Sequence, residues 1–211
     1  LSTDDIPIII GKYQLRKEQV NSKIDKMINI KTRIENHIEV LNQAIEIKKR
    51  VDSLSEDKVI VKNIPPRIVA SIRKSTPFGF TSIAFRFIEL FNLAEEEKLN
   101  ITHPYLVIFY QDYKQVNVFH SDYEVCALIQ NENIDMKKDF ITEISGGIYA
   151  TIAIKGSYEK SIFKYNNLIN WIKNSEYKIS GPTIRSYLTT FGAARKVDDL
   201  VSEIQIPIAL K

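Results

Sequence analysis

Apolar residues recur at helical spacing through the first quarter of the chain and at strand spacing after it. Val20, Met27, Ile34 and Leu41 are seven apart, and Ile24, Ile38 and Ile45 follow three of them by four residues, with Lys31 the one polar break. This 4-3 seam runs over about four heptads with charges around it, and it predicts a long helix whose stripe pairs with a second copy of the chain. A helix of ~30 residues spans ~45 Å at its 1.5 Å rise, more than a compact protein of this length requires for its own core. Ser2-Thr3-Asp4-Asp5 combines a hydroxyl and a following carboxylate, as helix starts do. Pro7 and Gly11 interrupt the pattern just after it. Asp52, Ser53, Ser55, Glu56 and Asp57 end the seam. Residues 1–50 therefore read as a dimerisation helix and residues 51–58 as a linker.

Beyond the linker, one layout occurs twice. Val59–Val61 is a short strand pattern, Pro65-Pro66 interrupts it, and Arg67–Arg73 continues extended. From Phe78 to Glu97 the spacing turns helical, with Ile83, Phe87, Leu90, Phe91 and Ala94 on one face. The strand patterns Tyr105–Tyr110 and Tyr123–Ile129 follow. The second copy has an apolar strand ending at Ile154, a helix with Tyr165, Leu168, Trp171 and Ile172 on one face, a strand carrying Tyr187, and the strand Glu203–Ile208. Ala70 and Ala150 are 80 apart, Pro104 and Pro182 are 78 apart, and Glu124-Val125 and Glu203-Ile204 are 79 apart. Landmarks at nearly constant offset indicate a duplicated strand–helix–strand–strand unit over residues 59–130 and 140–211. The expected fold class is α+β, with one antiparallel sheet and both helices on the same face.

Charge narrows the function. The formal net charge is +3. Residues 1–50 hold ten Lys/Arg and seven Asp/Glu, and the rest of the chain holds nineteen of each. The larger part thus has no basic excess to draw it to a phosphate backbone. The longest apolar runs fall short of the ~18 residues of a membrane span, and no basic-then-apolar leader opens the chain. The single Cys126 forms no internal disulfide, which fits a reducing, cytoplasmic setting. The start at Leu1 rather than Met leads to the expectation of a fragment. His103, His120 and Cys126 lack metal-ligand spacing, no glycine-rich phosphate loop is present, and neither a catalytic constellation nor a cofactor is expected.

Candidate binding residues follow from aromatic and acidic positions. Nine of ten tyrosines lie after residue 100. Alternation along strands puts every second side chain on the face away from the helices. Tyr149, Tyr187, Tyr105 and Tyr123 are the candidates for an aromatic box there, with Phe78 at the mouth of a cleft on the pseudo-twofold axis. Glu203 heads a strongly apolar strand, where an unpaired carboxylate is costly. It is the first candidate for ligand contact, and Glu124 is its equivalent in the other repeat.

Gly156-Ser157-Tyr158-Glu159, Tyr165, Leu168, Trp171-Ile172, Gly181-Pro182, Tyr187 and Glu203-Ile204-x-Ile206-Pro207, in that order, resemble the GyrI-like effector-binding domain. A heptad helix directly before such a domain resembles the MerR-family multidrug-sensing transcription activators, and Leu1–Ile6 resembles the start of the last helix of their DNA-binding part. The resemblance implies a homodimer through the N-terminal helix and a small, hydrophobic effector, cations included, in the cavity where the family carries a glutamate matching Glu203. It implies DNA contact only through a domain lacking here, and no enzymatic activity. Arg185 departs from the family, which often carries an acid there, and argues against a preference for lipophilic cations. A GyrI-like hydrolase acting in the same cleft is the alternative. A protein-binding module of the gyrase-inhibitor sort is a third reading, disfavoured by the neutral charge of residues 51–211.

Overall fold

The computed structural model describes residues 5–53, 58–112, 119–130, 134–156, 158–189 and 200–211. Most of the Ser2–Asp5 helix start lies outside them. The chain divides into two compact units, Leu1–Glu46 and Ile47–Lys211.

Helix α1 runs from Asp5 to Ser53, and its residues up to Glu46 belong to the first unit. Pro7 and Gly11 do not interrupt it. Pro7 lies in the first turn, where its missing N–H has no helical acceptor to lose. Val20, Ile24, Ile34 and Ile38 are about half exposed and Met27 is 71% exposed, so these seam positions are accessible. The side chains of Leu41 and Ile45 lie outside the described residues. At its other end α1 extends three residues into the expected linker, through Val51–Ser53. The acidic and hydroxyl residues there end the apolar stripe without ending the helix, because a polar face costs a helix little.

The second unit is α+β. Its strands are β1 Ile60–Ile64, β2 Arg67–Thr76, β3 Ile101–Phe109, β4 Ser121–Ile129, β5 Ile141–Ile144, β6 Gly147–Lys155, β7 Tyr177–Ile179, β8 Thr183–Tyr187 and β9 Val201–Leu210. Helices α2, Phe80–Glu96, and α3, Tyr158–Asn174, follow β2 and β6. The strand order is β1-β6-β9-β8-β3-β4-β2-β5, all antiparallel, with β7 added beside β9. The order is symmetric about the β8–β3 pair, whose register puts Val107 opposite Arg185. These two residues are 78 apart, the offset of Pro104 and Pro182, so the pseudo-twofold passes through them.

The edge strands are exchanged between repeats. β1 leaves its own repeat to pair with β6, and β5 pairs with β2. Only Pro65-Pro66 separates β1 from β2, and only Ser145-Gly146 separates β5 from β6. Strands near opposite ends of the order are therefore joined by two-residue links, and the sheet curls to let them meet. The links touch. A Cβ on Gly146 would lie 2.6 Å from the Pro66 nitrogen, so glycine is what the crossing requires.

Two apolar clusters result. The larger lies under the helices and joins Phe87 and Leu90 of α2, Leu168 and Ile172 of α3, and Val107, Val125, Ile152 and Ile204 of the sheet. The smaller lies on the other face, inside the curl: Val69, Leu106, Ile108, Cys126, Ile144, Tyr149 and Ile184.

Candidate ligand-binding site

Glu124 and Glu203 occupy equivalent positions. Glu124 stands opposite Arg73 on β2 and Ile108 on β3, and Glu203 stands opposite Ala153 on β6 and Ser186 on β8. Each partner pair keeps the repeat offset. Val125 and Ile204 face the helices, so strand alternation turns both glutamates into the curl. Both are 7% exposed.

What surrounds them differs. On the Glu203 side, Lys62 Nζ pairs with Glu203 Oε1. Gln205 Nε2 donates to Glu203 Oε2 at 2.8 Å. Arg67 Nη1 donates to Gln205 Oε1 at 3.0 Å, and its guanidinium lies over the Tyr149 ring, 5.8 Å from the centroid. That half is filled by its own side chains. The residues 80 further on are Thr142 and Gly147. Both are short, and among the described residues no lysine pairs with Glu124. The space that Lys62 and Arg67 occupy in one half is open in the other.

The opening is a cleft of about 380 Å³, lined by Ile108, Tyr110, Glu124, Thr142–Tyr149, Ser180–Pro182, Ile184, Pro207 and Ile208. This volume lies within the usual ~300–1,000 Å³ of small-molecule sites, which are mostly apolar with a few fixed polar groups. The fixed groups here are Glu124 and Tyr110, whose hydroxyl donates to Glu124 Oε2. Burial, then the bond to Glu124, raises the Tyr110 hydroxyl well above the ordinary tyrosine range, so it remains a proton donor. Arg73 stacks on the outer side of that ring, 3.6 Å from its centroid, and pairs with Asp122 at 2.6 Å. Tyr149 is held as a wall by its hydroxyl, which donates to the Ser145 carbonyl at 2.7 Å. Among the described residues no group of His, Cys, Asp and Glu is placed to hold a metal ion.

A family model for the GyrI-like small molecule binding domain matches residues 57–209. The chain belongs to this family. No match to a curated protein sequence was found. Among solved structures, the chain is similar to EcmrR in its complex with DNA, with a TM-score of 0.63 at 17% identity over 100% of this chain and 78% of that one. The EcmrR C-terminal domain gives 0.58 at 20% identity, covering 73% of this chain and 98% of that one. An uncharacterized conserved protein from Listeria innocua gives 0.55 at 10% identity, over 78% and 98%. A hydrolase from the same organism gives 0.51 at 9% identity, over 78% and 98%. At these identities the likeness concerns the fold.

Within the GyrI-like domain, the expected site residues separate onto two faces. Tyr149 and Glu124 line the cleft. Glu203 lies inside the curl but outside the cleft, bound by Lys62 and Gln205. Tyr105, Tyr123, Tyr187 and Phe78 are corrected to the helix-facing core. Phe78 meets the rings of Phe109 and Tyr123 edge-on, each at 5.5 Å, and Phe87 lies 5.5 Å from Tyr105 and 6.5 Å from Tyr187. Alternation predicts that neighbouring side chains part to opposite faces. It does not say which parity meets the helices, and here these three strand tyrosines share the parity of Val107 and Val125. The cleft itself lies to one side of the pseudo-twofold axis rather than on it.

Arg185 belongs to the helix side as well. It is 4% exposed, its Nε donates to Ser202 Oγ at 3.1 Å, and it lies 5.1 Å from the Tyr187 ring centroid. Its charge is on the far side of β8 from the cleft, which removes the objection that it would repel a cation there. Tyr110, Thr142, Gly147, Lys62 and Arg67 were not singled out from the sequence. The offset of 80, carried back from Ala70 and Ala150 to Lys62 and Arg67, was the available signal.

Proposed function

We propose that this chain is the effector-binding and dimerisation portion of a MerR-like transcription regulator, and that the effector is a small hydrophobic molecule bound in the Glu124 cleft. The observation that carries the reading is the cleft: a mixed polar and apolar wall around a buried carboxylate that, among the described residues, forms no ion pair with a lysine or arginine and is bonded by the Tyr110 hydroxyl. A donor or cationic group on the ligand supplies the missing partner, worth about 1.5–3 kcal/mol for a hydrogen bond to a charged group. The exposed stripe of Val20, Ile24, Met27, Ile34 and Ile38 supports pairing with a second copy in a homodimer. The fold likeness to EcmrR, solved with DNA, supports regulation of transcription through a DNA-binding segment outside these 211 residues. Tyr110 keeps its proton and Glu124 is bound to it, which favours binding over hydrolysis in the cleft.

The test is a titration of the chain with hydrophobic dyes and aromatic amines, followed by tyrosine and Trp171 emission. Binding weakened at least tenfold by Glu124→Gln and little by Glu203→Gln is expected. No binding, or a loss confined to Glu203→Gln, overturns the assignment of the cleft.

A further inference from the structure

Arg67 has an unused edge. Its Nη1 serves Gln205, but its Nε and Nη2 are both buried with no hydrogen-bond partner. These two nitrogens form the side of the guanidinium that presents two parallel N–H bonds, the geometry that fits two oxygens of one carboxylate. Leaving charged donors unpaired out of water is costly, and native folds rarely tolerate it without a reason. Nothing in the GyrI-like fold requires an arginine here, because the equivalent position in the other repeat is Gly147.

The fork also lies beside the cleft. Arg67 is the register partner of Ile144, a cleft wall. Its guanidinium lies over the ring of Tyr149, which is another. Tyr149 thus borders both the cleft that holds Glu124 and the Arg67 guanidinium, whose Nε and Nη2 have no acceptor.

We infer that the ligand of this cleft is amphoteric: it carries a carboxylate that takes the Nε and Nη2 edge of Arg67 and an amine or other donor that meets Glu124. The inference rests on the cleft assignment above and adds the second pole. A plain lipophilic cation fills only half of what the site offers. On binding, two charge-assisted bonds to that edge replace the contact of Arg67 over the Tyr149 ring.

Three matched probes test this on the full chain: 2-naphthylmethylamine, 2-naphthoate, and a naphthalene bearing both an aminomethyl and a carboxylate group. The amphoteric probe is expected to bind at least tenfold more tightly than the amine. Arg67→Gln and Arg67→Lys should both remove that advantage, since a lysine restores the charge but not the fork, while amine binding stays within twofold. Thermal melts of both variants establish that they fold. If the amine binds in a Glu124-dependent way and the carboxylate adds nothing, the amphoteric ligand is refuted and the cleft stands. The same holds if Arg67→Lys keeps the full advantage. If no probe binds, or binding ignores Glu124, the cleft assignment and this inference fall together. An advantage that survives Arg67→Gln means that ordered water, not ligand, satisfies the edge.

Discussion

Lys62 pairs with Glu203 where the equivalent pair of the other repeat is Thr142 and Glu124. This difference, together with Arg67 against Gly147, decides which half of a nearly symmetric interior is filled. Removing one partner of a buried pair leaves an uncompensated charge. The Lys62 side chain is 39% exposed and that of Glu203 is 9% exposed, so the solvent-screened cost is about 1–2 kcal/mol rather than the larger value for full burial. Lys62→Thr should lower the melting temperature at pH 7 by a few degrees. The double variant Lys62→Thr/Glu203→Gln should recover most of the loss. Equal melting temperatures for the single and double variants would mean that the pair is unimportant.

The crossing of the two inter-strand links tolerates no side chain at Gly146. The atoms a Cβ would meet belong mainly to the Pro66 ring and backbone, which cannot swing aside. Gly146→Ala should destabilise by about 1–3 kcal/mol, the usual range for overpacking. Gly147 has φ 151°, where a side chain is strained although the space is open. Gly147→Ala should cost a similar amount by the other route. Urea unfolding midpoints measure both.

The two faces of the sheet separate binding from folding. Tyr187 is 4% exposed in the helix-side core. Tyr187→Ala should cost about 3–5 kcal/mol, as for other large aromatic truncations. Tyr187→Phe should leave probe affinity in the cleft within twofold. A tenfold loss in the phenylalanine variant would place the ligand under the helices instead.

His103 gives the domain an acid-sensitive position. Burial holds its imidazole below the ordinary value of about 6.5. Its Nδ1 is buried without a partner, and the ring lies 4.0 Å from that of Tyr105. The folded state therefore binds the proton less readily than the unfolded chain. Stability is full above the unfolded value and erodes as pH falls below about 6.5 toward the folded value. Between pH 7 and pH 5 the wild type should lose more melting temperature than His103→Phe. Parallel curves would show that His103 contributes nothing in that window.

The amino-acid order alone determined the long heptad helix, the duplication and the α+β class, because these depend on periodicities that each stretch carries within itself. Val20 to Ile45 spells its seam locally, and Ala70/Ala150 or Glu124/Glu203 announce the repeat by offset. The extension of α1 through Ser53 was hidden, since polar residues end a stripe without ending a helix. The exchange of β1 and β5 between repeats was hidden too, because pairing across more than 70 residues leaves no local mark. Which face each tyrosine took, and which glutamate was left open, depended on tertiary packing. Parity becomes burial only when the helices settle on one side of the sheet. A carboxylate is closed or open only when Lys62 and Arg67, or Thr142 and Gly147, are brought against it by the curl.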